Sequence, residues 1–191
     1  LGKTVALIEK AKVGGTCLHQ GCIPTKALLH AAEVATTARE GASIGVNTTF
    51  DSVDMVKVNS YKQGVIDRLY KGLTGLVNQD GITVVEGDGS VIDSRTVEVN
   101  GQRYTGKNLV LATGSEPRTL GIEIGGRVMT SDQALALDEV PKRAVIIGGG
   151  ISAALLAWQL SERRPGTSII VVEAGDRMFD AKKRWEQRRR L

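Results

Sequence analysis

Two cysteines, Cys17 and Cys22, lie five positions apart and are the only cysteines in the chain. A disulfide across so short a loop constrains the unfolded chain little, because that stabilisation grows with loop length. Structural disulfides occur mostly in small, cysteine-dense secreted domains. A single close pair among glycines, near a predicted helix start, suits thiol–disulfide exchange instead. The spacing therefore predicts a redox centre.

The alternative for this pair is half of a zinc site. Such a site needs a second pair of ligands, and His19 and His30 do not have the spacing of a zinc finger. We therefore expect no metal. His19 is predicted to be a local polar residue and His30 an ordinary helix residue, and Lys26 on its own is typical of a solvated surface.

A glycine turn near the end of the chain predicts dinucleotide binding. Gly148, Gly150 and Ala153 lie between a predicted strand and a predicted helix, and Glu173 ends the next predicted strand. This is the layout of a Rossmann site, in which the glycines admit a pyrophosphate at the helix N-terminus. Glu173 would accept hydrogen bonds from a ribose and repel a 2′-phosphate, which favours NAD. The alternative is a βαβ turn without a ligand.

Glu9 also follows a predicted strand, just before the cysteines, but no glycine turn precedes it in this sequence. By the same logic it would bind the ribose of a second dinucleotide. The chain does not begin with Met. We expect that the first strand and its phosphate-binding loop belong to a segment before residue 1.

Hydrophobic periodicity and turn signals predict an α/β protein. The predicted helices span residues 17–39, 52–79, 131–137 and 154–164, and the predicted strands span 4–9, 82–89, 91–92, 96–99, 102–104, 108–112, 144–147 and 168–172. Asn100-Gly101 is a hairpin signal. A boundary between two units is predicted at Asp138–Lys142.

The second predicted helix has an apolar stripe that we expect to be buried, opposite a solvated face. Its members are Val53, Val56, Ser60, Val65, Leu69, Leu73, Leu76 and Val77.

Composition excludes several classes of protein. No apolar run approaches the roughly 18 residues of a membrane span. The net charge of +4 comes from residues 181–191, which hold six basic side chains and one acid, so the rest of the chain is close to neutral. We therefore expect no nucleic-acid-binding surface. The basic tail is predicted to be solvated, the alternative being an adaptor that binds an acidic partner.

Three segments resemble one family. Residues 14–29 resemble the signature of the class I pyridine nucleotide–disulfide oxidoreductases, and residues 23–30 resemble its dihydrolipoyl dehydrogenase branch in particular. Residues 112–117 resemble the family's second flavin-contacting turn, and residues 125–135 resemble its linker into the NAD domain.

The resemblance implies a domain organisation. Residues 1–140 would form a Rossmann-like FAD-binding domain that lacks its first βα unit and carries a small β-meander. Residues 141–180 would begin a Rossmann NAD-binding domain, and residues 181–191 would be a basic tail. The chain would thus be truncated at both ends.

The resemblance also assigns roles to single residues. Cys17 would be the interchange thiol that reacts with substrate, Cys22 would be the charge-transfer thiolate against the flavin, and Lys26 would reach the N5 side of the flavin. The residues implied to bind FAD are Glu9, Gly14, Gly15, Thr16, Cys17, Lys26, Gly89, Ala112, Thr113 and Gly114. Those implied to bind NAD are Gly148, Gly150, Ala153 and Glu173.

The implied activity is oxidation of dihydrolipoamide with reduction of NAD⁺ to NADH. The implied partners are lipoamide on the acyl-carrier subunit of 2-oxo acid dehydrogenase complexes and a second copy of the chain. The location would be the cytoplasm in bacteria or the mitochondrial matrix in a eukaryote. The alternatives are a mercuric, glutathione-type or mycothione reductase, or an inactive fragment that binds only nucleotide. The family's His–Glu base is not in this sequence, and neither His19 nor His30 replaces it.

Overall fold

The structure is a computed structural model that describes residues 2–79, 81–119 and 121–147 and the backbone of residues 168–172. The chain divides into two units, Leu1–Asp138 and Glu139–Leu191. The assignment of an FAD-binding and an NAD-binding domain to these units remains a prediction.

The described part of the chain is a mixed α/β structure. In the first unit the helices are α1 (Gly15–His19), α2 (Cys22–Glu40), α3 (Met55–Val77) and α4 (Ser131–Ala134), with a 3-10 turn at Gly41–Ile44. Its strands are β1 (Val5–Glu9), β2 (Ile82–Glu86), β3 (Ser90–Val91), β4 (Thr96–Val99) and β5 (Gln102–Thr105). The second unit contains β6 (Arg143–Ile147) and β7 (Ser168–Val172).

Strands β1 and β2 are a parallel pair, in register from Val5 opposite Ile82 to Glu9 opposite Glu86. A parallel pair needs a long crossover connection, and here α1, α2 and α3 supply it. Both strands therefore end at the same edge, where the Gly87 amide donates to the Glu9 carbonyl at 3.1 Å. The cysteine-bearing segment leaves the sheet from this edge.

The helix predicted over residues 17–39 is two helices, so the prediction of one helix was wrong. Gly21 separates them with a non-helical backbone, φ −136° and ψ −108°. A Cβ at Gly21 would lie 3.0 Å from the Thr16 carbonyl oxygen, so glycine permits this tight joint. Pro24 falls in the first turn of α2, as predicted.

The prediction of the second helix was correct but that of its buried face was not. Val56 and Leu76 are 72% and 60% exposed, whereas α3 buries Lys62 and Ile66. The face that α3 buries is set by the neighbouring α2 and by backbone carbonyls near α4. The spacing of apolar residues carries no information about such polar partners.

The predicted β-meander is confirmed. Strands β3, β4 and β5 are antiparallel, and the β4–β5 turn has positive φ at Asn100 (52°) and Gly101 (78°). Two successive positive φ values are typical of the type I′ turn that an Asn-Gly pair favours. Val97 and Val99 of β4 are buried.

The prediction of a strand over residues 108–112 was wrong, because these described residues form no strand. Residues 108–119 form no strand, and Val110 and Leu111 are 81% and 69% exposed. An apolar run becomes a strand only where a neighbouring backbone completes its hydrogen-bond ladder. No described strand pairs with this segment.

In the second unit, β6 and β7 form a parallel pair from Arg143 opposite Ser168 to Ile147 opposite Val172. Both strands were predicted. The predicted glycine turn (Gly148, Gly150 and Ala153), Glu173, the helix over 154–164 and the tail over 181–191 lie outside the described residues.

Candidate redox site

The two cysteines lie on either side of the joint between α1 and α2. Cys17 is in α1 and Cys22 is the first residue of α2, and both are exposed free thiols. The side chains of Cys17 and Cys22 lie close enough that Cys22 acts on the acidity of Cys17. The structure thus brings the two cysteines of the predicted pair together at one joint between helices.

The acidity of the Cys17 thiol depends on its neighbours. The hydrogen bond with Cys22 raises the pKa of the Cys17 thiol above its ordinary value, and partial desolvation and the nearby Cys22 charge act in the same direction. The charge of Lys26 lowers the pKa of Cys17, as the smallest of these contributions. Cys17 therefore holds its proton to higher pH than an isolated thiol.

Lys26 and Cys22 share one face of α2, because residues four apart in a helix lie one above the other. Lys26 is exposed. Its effect on the Cys17 thiol shows that its charge acts on the dithiol. The structure therefore brings together three residues of the predicted site: Cys17, Cys22 and Lys26.

A hydrogen bond joins α1 to the segment that resembles the second flavin-contacting turn. Thr16 Oγ1 donates to the Ser115 carbonyl at 3.3 Å. Gly114 has φ 78°, and a Cβ there would lie 3.2 Å from Thr16 Oγ1. The exposed residues Ala112 and Thr113 belong to the same segment. Two parts of the predicted FAD site thus meet although they are far apart in sequence.

Gly89 lies beside Ile8, the residue that precedes Glu9 at the carboxyl end of β1. A Cβ at Gly89 would be 3.0 Å from Ile8 Cγ2, so Gly89 packs directly on this strand. The Glu9 Oε1 accepts a hydrogen bond from the Ala11 amide at 2.9 Å, which holds the carboxylate at the strand end. Ligands of open parallel sheets bind at this edge.

The glycines at the start of α1 provide an exposed backbone that fits a dinucleotide. Gly14 and Gly15 have φ 109° and 53°, values that L side chains rarely adopt. A Cβ at Gly14 would clash with the Leu18 side chain, whereas Gly15 has open space around it. The backbone here can approach a phosphate or an isoalloxazine closely. The residues present therefore fit FAD.

His19 holds α1 in place rather than taking part in chemistry. The Val13 carbonyl accepts a hydrogen bond from His19 Nε2 at 3.0 Å, and the imidazole packs edge-on against Tyr70 of α3 at 5.2 Å. His19 is thus the local polar residue that was predicted. The sequence did not predict the contact of Tyr70 with His19, because the sequence around an aromatic residue in a long helix does not indicate which ring it packs against.

His30 is an exposed residue of α2, as predicted, 3.8 Å from the Glu33 carboxylate. Within the described part of the chain, no three His, Cys, Asp or Glu side chains cluster as a metal site would require. None of the helices described there is long and apolar enough to cross a membrane.

A model of one protein family matches nearly the whole chain. The pyridine nucleotide-disulphide oxidoreductase family matches residues 1–190. A dihydrolipoyl dehydrogenase of Bacillus subtilis (strain 168) is 40% identical over 194 residues, covering 94% of this chain and 40% of that protein. A mercuric reductase of Staphylococcus aureus is 33% identical, covering 93% of this chain and 33% of that protein.

Solved structures show the same fold. LpdA from Mycobacterium tuberculosis gives a TM-score of 0.72 at 21% identity, covering 93% of this chain and 40% of that one. The HOCl-induced flavoprotein disulfide reductase RclA from Escherichia coli gives 0.66 at 26% identity, covering 93% and 38%. The chain spans about two fifths of the length of the dihydrolipoyl dehydrogenases it matches.

Proposed function

Because the chain belongs to the pyridine nucleotide-disulphide oxidoreductase family, we propose that it carries the redox centre of a dihydrolipoyl dehydrogenase. Such an enzyme oxidises dihydrolipoamide and reduces NAD⁺, and the dihydrolipoyl dehydrogenases of this family use FAD and NAD. The observation that carries the proposal is the placement of the exposed Cys17 and Cys22 on either side of the joint between α1 and α2. The 40% identity to a dihydrolipoyl dehydrogenase supports the choice of substrate.

The proposed chemistry is thiol–disulfide exchange at Cys17. A thiolate of dihydrolipoamide attacks the Cys17 sulfur of the Cys17–Cys22 disulfide, which forms a mixed disulfide and expels the Cys22 thiolate. The second thiolate of the same dihydrolipoamide then attacks the substrate sulfur that is bonded to Cys17. This attack closes the lipoamide ring and expels the Cys17 thiolate. Two electrons thereby enter the protein as a dithiol.

Three features of the chain suit these roles. Cys22 opens a helix of 19 residues, and a helix N-terminus stabilises negative charge on a leaving sulfur. The Lys26 charge partly offsets the rise in the pKa of Cys17 that the neighbouring Cys22 causes. Both sulfurs are exposed, so a substrate disulfide or dithiol can reach them.

The proposed FAD site combines the two regions described above. Glu9 would bind a ribose, the backbone of Gly14, Gly15 and Thr16 would contact the cofactor, and Lys26 would face the flavin. The remaining part of the proposed FAD site would be lined by Gly89, Ala112, Thr113 and Gly114. When bound, FAD supplies the two-electron acceptor that links the dithiol to NAD⁺.

The proposed NAD site in residues 141–180 has support from β6 and β7. Ile147 and Val172 are opposite each other in the register of this parallel pair. Gly148 and Glu173 are the next residues in sequence, so the glycine turn and the acid follow the carboxyl ends of neighbouring strands. Dinucleotides bind at that edge in Rossmann folds. We propose NAD rather than NADP because Glu173 would repel a 2′-phosphate.

We further propose that the whole protein acts as a homodimer in the cytoplasm and takes lipoamide from the acyl-carrier subunit of a 2-oxo acid dehydrogenase complex. A substrate panel tests the proposed activity against its relatives. The whole protein is assayed with dihydrolipoamide and NAD⁺, with glutathione disulfide and NADPH, and with Hg²⁺ and NADPH. The proposal predicts turnover with the first pair, and preference for either other pair would overturn it.

A further inference from the structure

A buried lysine of α3 lies outside the candidate redox site. Lys62 is 8% exposed, and its Nζ donates to Asn59 Oδ1 at 2.8 Å and to the Leu135 carbonyl. Asn59 Nδ2 in turn donates to the Leu137 carbonyl at 3.0 Å. Lysine is rarely buried unless its charge is paired or hydrogen-bonded, so a side chain in this position calls for a physical reason.

The two carbonyls lie at the end of the first unit. Leu135 and Leu137 follow α4, and the unit ends at Asp138. At its other end α4 begins with a capping box, in which the Thr130 amide donates to Gln133 Oε1 at 2.9 Å. Residues 130–137 are therefore held at their start by their own capping residues and at their end by α3.

We propose that Asn59 and Lys62 form an anchor that fixes to α3 the point at which the chain leaves the first unit for the second. The contacts span 78 and 73 residues of sequence, so they hold an element that local propensity cannot place. A hydrogen bond from a charged donor is about twice as strong as a neutral one. Both carbonyls belong to the backbone, so the anchor depends on the positions of residues 135–137 and not on their side chains.

Burial is the cost of this arrangement. Desolvation lowers the pKa of Lys62, because the ammonium has left water without a carboxylate to pair with among its hydrogen-bond partners. A leucine at this position would carry no charge to desolvate but would leave the Leu135 carbonyl without its donor. The anchor goes beyond the proposed function and needs neither FAD nor substrate.

Native-state amide hydrogen exchange of the 191-residue chain tests the anchor. The variants are Lys62→Met and Asn59→Ala, with Lys71→Met, an exposed position of the same helix, as the matched control. The reporters are the Leu135 and Ala136 amides, which donate to the Ser131 and Gln133 carbonyls at 3.1 Å each. The reference is the Gly87 amide of the β1–β2 edge.

The anchor predicts that both reporters exchange at least about tenfold faster in Lys62→Met and in Asn59→Ala, the size expected for a lost charge-assisted hydrogen bond. The Gly87 amide keeps its rate, and Lys71→Met matches the parent chain. Unchanged reporters in Asn59→Ala would overturn the proposal even if Lys62→Met does not fold. Equal acceleration of the reporters and Gly87 would also overturn it, since that pattern means a uniform loss of stability.

Discussion

Thr16 Oγ1 donates a hydrogen bond of 3.3 Å to the carbonyl of Ser115, 99 residues later in the chain. This bond joins the helix that carries Cys17 to the turn that contains Gly114. Residues that bind one cofactor must converge in space, and this bond connects two of the predicted FAD-binding segments.

The first prediction concerns Cys22 as the thiol that resolves a mixed disulfide at Cys17. Cys22→Ser treated with glutathione disulfide should accumulate a mixed disulfide at Cys17, because the thiol that would expel glutathione has been removed. The parent chain should instead proceed to a Cys17–Cys22 disulfide without a retained adduct. Peptide mass spectrometry reads both outcomes. A retained adduct on the parent chain would contradict the assignment, and Ser60→Ala is the control.

The second prediction concerns the acidity of Cys17. The hydrogen bond with Cys22 raises the pKa of Cys17, so Cys22→Ala should shift the alkylation profile of Cys17 to lower pH. Lys26→Met should shift the profile of Cys17 the other way, because the Lys26 charge lowers that pKa. The measurement is the rate of iodoacetamide labelling as a function of pH. The pH series extends to both sides of the ordinary thiol pKa of about 8.5. Shifts in the same direction for both variants would refute the proposed causes.

The third prediction concerns the turn at Gly114. Gly114→Ala should weaken FAD binding by about tenfold, since a left-handed conformation costs an L residue roughly 1–2 kcal/mol. The added Cβ would also meet Thr16 Oγ1 at 3.2 Å. Quenching of flavin fluorescence measures the affinity.

The control for Gly114 is Gly64→Ala, which lies in α3 with open space for a Cβ. This change should stabilise the helix by about 0.5–1 kcal/mol and leave FAD affinity unaltered. If both variants bound FAD as the parent chain does, the turn would not be part of the site.

The fourth prediction concerns the stability of the 191-residue chain. Val110, Leu111 and Val145 are 81%, 69% and 61% exposed, so much apolar surface gains nothing from folding. We expect the chain by itself to melt below about 50 °C, at or below the lower end of the usual range for an intact domain. Val110→Lys should reduce self-association measured by light scattering. A single cooperative transition above that temperature would show that these side chains are covered in solution.

Much of the local structure was predictable because its causes are local. The Asn100-Gly101 turn needs two positive φ values, which these residues tolerate, and the strand before Glu9 is a short apolar run. The glycines before Cys17 indicated a helix start close to the cysteine pair, although not the break at Gly21 that divides the segment into two helices. These features depend on a few neighbouring residues and therefore appear in the sequence.

The remaining features depend on distant partners. The run 108–112 has the composition of a strand, but composition does not supply the neighbouring backbone that a strand requires. From sequence alone, Lys62 would be predicted to lie on the surface. Only the structure shows that it donates a hydrogen bond to the Leu135 carbonyl. The bond between Thr16 and Ser115 likewise has no local signal.

The most direct test of the central claim is whether lipoamide oxidises the cysteine pair. The 191-residue chain, reduced and free of oxygen, is mixed with excess oxidised lipoamide, quenched with iodoacetamide and analysed by mass spectrometry. The account predicts a Cys17–Cys22 disulfide that resists alkylation, with release of dihydrolipoamide in equal amount. Two alkylated cysteines and no dihydrolipoamide would contradict the claim that this pair is a redox centre for lipoamide.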